Sequence, residues 1–341
     1  MREISTRLKT VMATIAIVVL LLLLWQLHTL ILLIFAAIIV AIILRSMSQP
    51  LARQTGLDHR ITLAICIALI VVVAAAVVTA LGRLVSEELS TLSERLPAMF
   101  EQIEWIDFGA IADWIESKDW LGGKSIITSI TGVSALLLSV AVNLVVVVMG
   151  AIYFAAGPRT YRTGFLKLLP PEQHEVAGET LTAVSESLRL FILGQLASMV
   201  AVGVLTTAGL LILGIPSAIA LGILAGLLEF IPYVGPVAAA IPALIVALGE
   251  SPWMALWVLI LYVLVQQVEA AILVPLIQRR AVQIPPGVTI FAIIAFGIVF
   301  GPMGVLLGAP ATVVAYVLIQ KLWVREELGE ETTLPNERSS S

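Results

Sequence analysis

Glu229 is a carboxylic acid set inside one of the most apolar stretches of the chain, LGIPSAIALGILAGLLEFIPYVGPVAAAIPALIVAL from Leu213 to Leu248. That stretch is punctuated by Pro216, Pro232, Pro236 and Pro242 and by Gly214, Gly222, Gly226 and Gly235. Lipid gives backbone groups no hydrogen-bond partners, so irregular backbone at membrane depth survives only where protein buries it or where it lines a wet cavity. By helix rise Glu229 lies ~18 Å into the segment that starts at Ser217, near the bilayer middle. An acid at that depth costs roughly 2.5 to 3.5 kcal/mol and must face the protein interior, paired or protonated. Such a group can exchange a proton or bind a cation; it can also do no more than hydrogen-bond the unwound backbone at Pro232 to Gly235.

A second acid, Glu269, sits with Gln266 and Gln267 in a run otherwise made largely of Leu, Val, Ile and Ala. Polar side chains packed so densely cannot all face lipid, so this cluster is expected to point at the broken stretch, as part of a site or as a helix-to-helix hydrogen bond. Beyond the break at Pro232, Gly235 and Pro236, the amides of Val237 to Ala239 would present the positive end of a half-helix to an anion or substrate oxygen. A freed carbonyl near Phe230 would suit a cation. Asn143, the one strongly polar residue of Val133 to Ala156, reads first as an ordinary helix contact and second as a further donor or acceptor for the site.

The elements that must hold these groups are membrane helices. With 60% hydrophobic and 12% charged side chains over 341 residues and a mean hydropathy of +1.07, the chain has more apolar surface than a soluble core would bury. The apolar runs lack the alternation of a transmembrane barrel, which predicts an all-α polytopic protein. Val11 to Trp25 and Leu30 to Leu44 read as a first helical hairpin. Arg2, Arg7 and Lys9 before it and Arg45, Arg53 and Arg60 after it put both of its ends in the cytoplasm. His28 then falls at the outer turn as a solvated interfacial residue.

Ile61 to Leu81 leads outside, where 83–129 carries nine acids against four bases. Val85, Leu89, Leu92, Leu96, Met99, Ile103 and Ile106 form a helical stripe there, suited to contact between subunits or to packing on this chain's own helices. The predicted division is 1–82 membrane helices, 83–130 extracytoplasmic helical segment and 131–156 membrane helix. A cytoplasmic amphipathic segment at 157–190 follows, then a core at 191–322 and a polar, disordered tail at 323–341. Within 157–190, Val176, Ala183, Val184, Leu188 and Phe191 line one side of a helix expected along the inner membrane surface.

Two stretches of the core are too broken to cross simply. Split at 232–236, Ser217 to Leu248 gives arms of about 20 Å, too short for a ~30 Å hydrocarbon layer. A re-entrant hairpin entering from outside resolves this and places Arg279 and Arg280, after the helix Trp253 to Ile277, in the cytoplasm. Val288 to Phe300 and Met303 to Ile319 flank Gly301 and Pro302 in the same manner, with Lys321 and Arg325 beyond, which predicts a second hairpin from the cytoplasmic side. Opposed broken segments point to a transporter's midplane site.

Enzyme chemistry has little to build on. His174-Glu175 lacks the second histidine of a zinc-protease helix, with Gly178 in its place. Gly132-Val133-Ser134-Ala135 resembles the nucleophile motif of intramembrane serine proteases, but no histidine occurs after His174 to serve as base. There is no phosphate loop, no basic stripe for nucleic acid and, with Cys66 alone, no disulfide framework. No metal site or cofactor is expected.

Several runs carry a resemblance: FILGQL at 191–196, GLLEFIPYVGPVAAAIPALIVAL at 226–248, QQVEAAILVPLI at 266–277, and GPMGVLLGAPATVVAYVL from Gly301. They resemble the autoinducer-2 exporter family of bacterial membrane proteins, most specifically in Glu229, Ile231, Pro232, Gly235 and Pro236. The resemblance implies about eight membrane segments with both termini cytoplasmic, a place in the bacterial inner membrane, and a homo-oligomer, with a pentamer as one form. It implies export of a small polar signal of the autoinducer-2 type or, alternatively, antiport of sodium or lithium ions against protons. Ile284-Pro285-Pro286 stands where many members have a His-Pro step. A scaffold acting through the outer helix and a passive channel are the competing classes.

Overall fold

The computed structural model describes residues 26–58, 60–72, 130–273 and 284–330, isolated positions 12, 15, 19, 22 and 275, and only the backbone of 130–141. The outer helical segment, the Arg279-Arg280 pair, the tail beyond 330 and most of the first helix lie outside the described residues. What is described is helical, with no strand.

The element order is α1 (His28–Thr55), α2 (Arg60–Val72), α3 (Ile130–Ala156), α4 (Pro158–Leu166), α5 (His174–Ile212), α6 (Ala218–Leu228), α7 (Val234–Glu250), α8 (Pro252–Val268) and α9 (Pro286–Leu318). Short π-helical turns, Glu269–Leu273 and Ile319–Glu327, extend α8 and α9. Four of these helical runs are long and apolar enough to cross a membrane, or five if α3 and α4, bent by 85°, are taken together. The eight segments expected from sequence rest in part on 73–81 and on most of 11–25, which lie outside the described residues.

Three differences from the sequence reading stand out. α1 continues through Pro50 to Thr55 and stops only at Gly56, whose left-handed φ of 69° lets its amide reach the Ala52 carbonyl. The surface helix expected within 157–190 and the crossing expected to start at Phe191 are joined in one 39-residue rod, α5. No proline or glycine pair interrupts the register between them, so the apolar side of the first half runs on into the crossing. His28 is half-buried with its ring stacked on Phe300, centroids 5.9 Å apart, rather than solvated.

α5 is the spine. It packs along α6, along α9 and against α8, while α3 packs on α1 and α4. Its seam with α6 is made of small residues: a methyl group at Gly203 would lie 3.3 Å from the Gly222 carbonyl oxygen, and one at Gly226 would lie 2.6 Å from that of Met199. Such close backbone approach is how membrane helices gain dispersion energy without a hydrophobic driving force. The α5–α6 turn is a Schellman cap: Gly214 at φ 71° donates to Leu211, and Ile215 donates to Leu210, with Leu210 and Ile215 both buried.

α6 to α8 share a core of Leu221, Ala225, Ala239, Ala243, Ala247, Val258 and Tyr262. A second core joins α1, α5 and the bend of α9 through Leu32, Ala36, Leu188, Ile192 and Leu307. Phe230, Phe300 and Met303 pack onto it. Residues next to both chain breaks therefore meet one apolar cluster.

Candidate functional site

α6 holds only 11 residues, and its two flanks are strained. Ser217 before it has φ 56° and Tyr233 after it has φ 66°. For a tyrosine such a conformation costs of order 1 to 3 kcal/mol and persists only where surrounding structure enforces it, most often at functional sites. Pro232 cannot continue the helix. Gly235 is required by contact, since a methyl group there would fall 1.9 Å from the Leu228 carbonyl oxygen. The chain thus turns tightly at 229–233 and α7 packs back on α6.

α9 does the same more sharply. Gly301, at φ 66° and ψ −151°, breaks the helix ahead of Pro302. A straight helix would hold residues 293 and 308 ~22 Å apart. Instead, a methyl group at Gly308 would lie 3.0 Å from the Ile293 Cα, one at Gly304 2.0 Å from the Phe296 carbonyl oxygen, and one at Gly297 2.7 Å from Val305. Those contacts fall in antiparallel order, so the two arms of α9 lie side by side.

At the first turn Glu229 is only 2% exposed and Glu269 only 9% exposed. The two carboxyls, one from the end of α6 and one opening the π-helical turn after α8, meet side chain to side chain, and Gln266 reaches both. Ser198 of α5 completes the group at Glu269. Gln195, one helical turn before Ser198 and equally buried, donates from Nε2 to the backbone carbonyl of Glu229. Glu229 Oε2 is buried with no hydrogen-bond partner. Neither acid has a lysine or arginine partner among the described residues. Two carboxyls in contact without a counter-ion hold together by sharing a proton or by accepting a cation. Buried polar groups of this kind, including an unpartnered oxygen, call for a chemical explanation. The π-helical turn at Glu269 adds a further irregularity of the type found at functional sites.

Several of the residues singled out from sequence therefore converge: Glu229, Glu269 and Gln266, with Pro232, Gly235 and Pro236 shaping the turn. Gln267 does not join them. It is exposed, because it stands about 200° around the helix from Glu269 whereas Gln266 shares the Glu269 face. Asn143 stands on α3, which packs on α1 and α4 rather than on α6 to α8. Gly301 and Pro302 form the bend of α9, at the other core. The amides of Val237 to Ala239 are not at an open helix end: α7 starts at Val234, and Val234 and Gly235 donate to Pro232 and Ile231. Nor is the carbonyl at the end of α6 free, since Gln195 occupies that of Glu229. Gln195 and Ser198 were the residues that sequence reasoning missed; their signal was a pair of polar side chains three apart in an apolar helix, which places them on one face.

The family model for AI-2E family transporters matches residues 14–323. The chain belongs to the AI-2E transporter family. A putative transport protein of Bacillus subtilis, YueF, is 25% identical over 330 residues, 89% of each chain. Another from that organism, YrrI, is 34% identical over 152 residues, 45% of this chain and 43% of the relative. The AI-2 transport protein TqsA of Escherichia coli is 31% identical over 137 residues, 40% of each chain. AI-2E membership and the apolar helices make this a multi-pass membrane protein of transporter type, as the residues of the Glu229 turn implied.

Proposed function

We propose that the chain is a secondary transporter that exports a small polar solute of the autoinducer-2 type across the bacterial inner membrane, both termini cytoplasmic. The α6–α7 and α9 turns act as re-entrant hairpins from opposite sides, bringing the apparent count to eight segments. The solute binds beside the 229–233 turn, and the Glu229–Glu269 pair exchanges a proton as access alternates.

One observation carries this reading: two buried carboxyls from different helices meet amide and hydroxyl side chains with no basic partner among the described residues. A furanosyl solute would find acceptors in the carboxyls and both donors and acceptors in Gln266, Gln195 and Ser198. The family, and the AI-2 transport for which its relative TqsA is named, favour that cargo. A second reading, antiport of a sodium or lithium ion against protons, draws on the same carboxyl pair, because hard cations prefer oxygen ligands.

Proteoliposome flux separates them. Export of the furanosyl solute with release of lumenal protons, reduced at least about tenfold in Glu229→Gln, supports the first reading. Proton movement driven by sodium or lithium alone and abolished by Glu229→Gln supports the second. Flux of either kind that Glu229→Gln and Glu269→Gln both leave unchanged removes the acid pair from transport.

A further inference from the structure

Away from the acid pair, α1, α3, α4 and α5 enclose a cavity of about 800 Å³. Ile34, Ile38 and Phe154 are among its apolar lining side chains, and Arg45, Arg162 and Arg189 line it as well. One acid, Glu186, lines it with them. The arginines are held in place by neutral groups and that acid. Arg45 Nη1 donates to the Ala155 carbonyl at 3.1 Å, and Arg162 Nη2 to the Gly178 carbonyl at 2.8 Å and Thr182 Oγ1 at 3.1 Å. Arg189 donates to Ser46 Oγ at 3.3 Å and to Glu186 at 3.2 Å. These contacts use only part of each guanidinium's donor set, and the Arg189–Glu186 pair is exposed enough to be weak. The cavity thus keeps an excess of positive charge beside an apolar slot.

Its position matches a membrane surface. α4 turns 85° away from α3, so where α3 crosses the bilayer α4 lies along its face. The bend is held by Phe154 packed edge-on to Tyr161, centroids 4.7 Å apart. Tyr161, Phe165 and Leu168 are exposed on or just past α4, with Lys167 beside them, the composition of an interfacial helix. Arg162 of α4 and, further along α1 from Arg45, Ile38 and Ile34 line the same cavity, so it extends from headgroup level into acyl-chain level.

We infer that this cavity binds one anionic glycerophospholipid, its phosphate on Arg45, Arg162 and Arg189 and an acyl chain along Ile34, Ile38 and Phe154. Basic pockets between membrane helices on the cytoplasmic side recognise such headgroups. The bound lipid clamps α1 to the α3–α4 bend and to α5, the helix that also carries Gln195 and Ser198. The assignment is independent of cargo and of proton coupling.

Native mass spectrometry of the full chain in detergent tests it, with phosphatidylglycerol and phosphatidylcholine of identical chains as probes. The wild type is expected to retain phosphatidylglycerol at least about tenfold better. Arg162→Gln and Arg189→Gln should each weaken it about fivefold, as one surface charge does, without changing phosphatidylcholine. Ile38→Trp, which keeps every charge and fills the slot, should weaken both lipids, and glycerol 3-phosphate, a headgroup without chains, should compete poorly. Equal retention of the two lipids, arginine variants that fold and bind as wild type, unchanged binding in Ile38→Trp, or full competition by glycerol 3-phosphate would each overturn the assignment.

Discussion

At the scale of single residues, the site depends on which polar groups are satisfied and which are not. Gln195 satisfies the Glu229 carbonyl where α6 ends, a point at which a helix would otherwise leave that oxygen without a partner. Replacing it by leucine should cost about 1 to 3 kcal/mol, the penalty of a buried unsatisfied acceptor, read as a lower unfolding midpoint in detergent; an unchanged midpoint would mean that the carbonyl finds other company. Glu229 itself was legible from sequence because an acid in so apolar a stretch has few innocent explanations. Gln195 and Ser198 were not, because one amide and one hydroxyl in a long helix look like ordinary interhelical glue until tertiary packing shows which helix they face. Gln267 shows the opposite error: adjacency in sequence suggested a cluster, and helical rotation divided it.

At the scale of elements, proline and glycine marked the breaks at 229–233 and at Gly301, whereas Pro50, Pro242 and Pro310 lie inside helices. The structure adds how tightly the chain closes at the two breaks. Gly222 is a glycine needed for close approach rather than for φ. A methyl group at that position would fall 1.9 Å from Thr207 Oγ1 and 2.8 Å from its Cα. Gly222→Val should therefore push α6 off α5 and cost about 1 to 3 kcal/mol, as overpacking does. Gly249→Ala, with nothing within 4 Å of the added methyl, should be neutral or slightly stabilising. Thermal unfolding of the two variants side by side checks this, and equal effects would show that the α5–α6 seam is soft. The single 39-residue α5 was illegible because the change from amphipathic to wholly apolar pattern looks like a boundary between helices. A helix leaving a membrane changes its pattern in the same way without ending.

At the scale of the whole molecule, α5 links the acid pair, through Gln195 and Ser198, to a polar end where Lys321 meets Glu179 at 2.8 Å. Lys321 is 7% exposed at its side chain whereas Glu179 is 61% exposed, so the pair is lopsided. Glu179→Ala leaves a buried ammonium with its acid removed and should destabilise more than Lys321→Met, which removes the buried charge itself. Comparing the two unfolding midpoints decides it, and the reverse order would show that the lysine is held by other contacts. Fold class and family were legible in composition and in the Glu229–Pro236 run. The antiparallel closure of α9 at Gly301 needed the structure, since a glycine-proline pair in an apolar run is equally compatible with a kinked crossing.

The central claim is that the Glu229–Glu269 pair lies where access alternates between the two sides of the membrane. Ser198, 3% exposed beside Glu269, allows a direct measurement: Ser198→Cys in a Cys66→Ala background, labelled in oriented vesicles by a small membrane-impermeant thiol reagent. The account predicts labelling from each side, in proportions that shift when a proton gradient is imposed. Labelling from one side only, unaffected by the gradient, or from neither would contradict it.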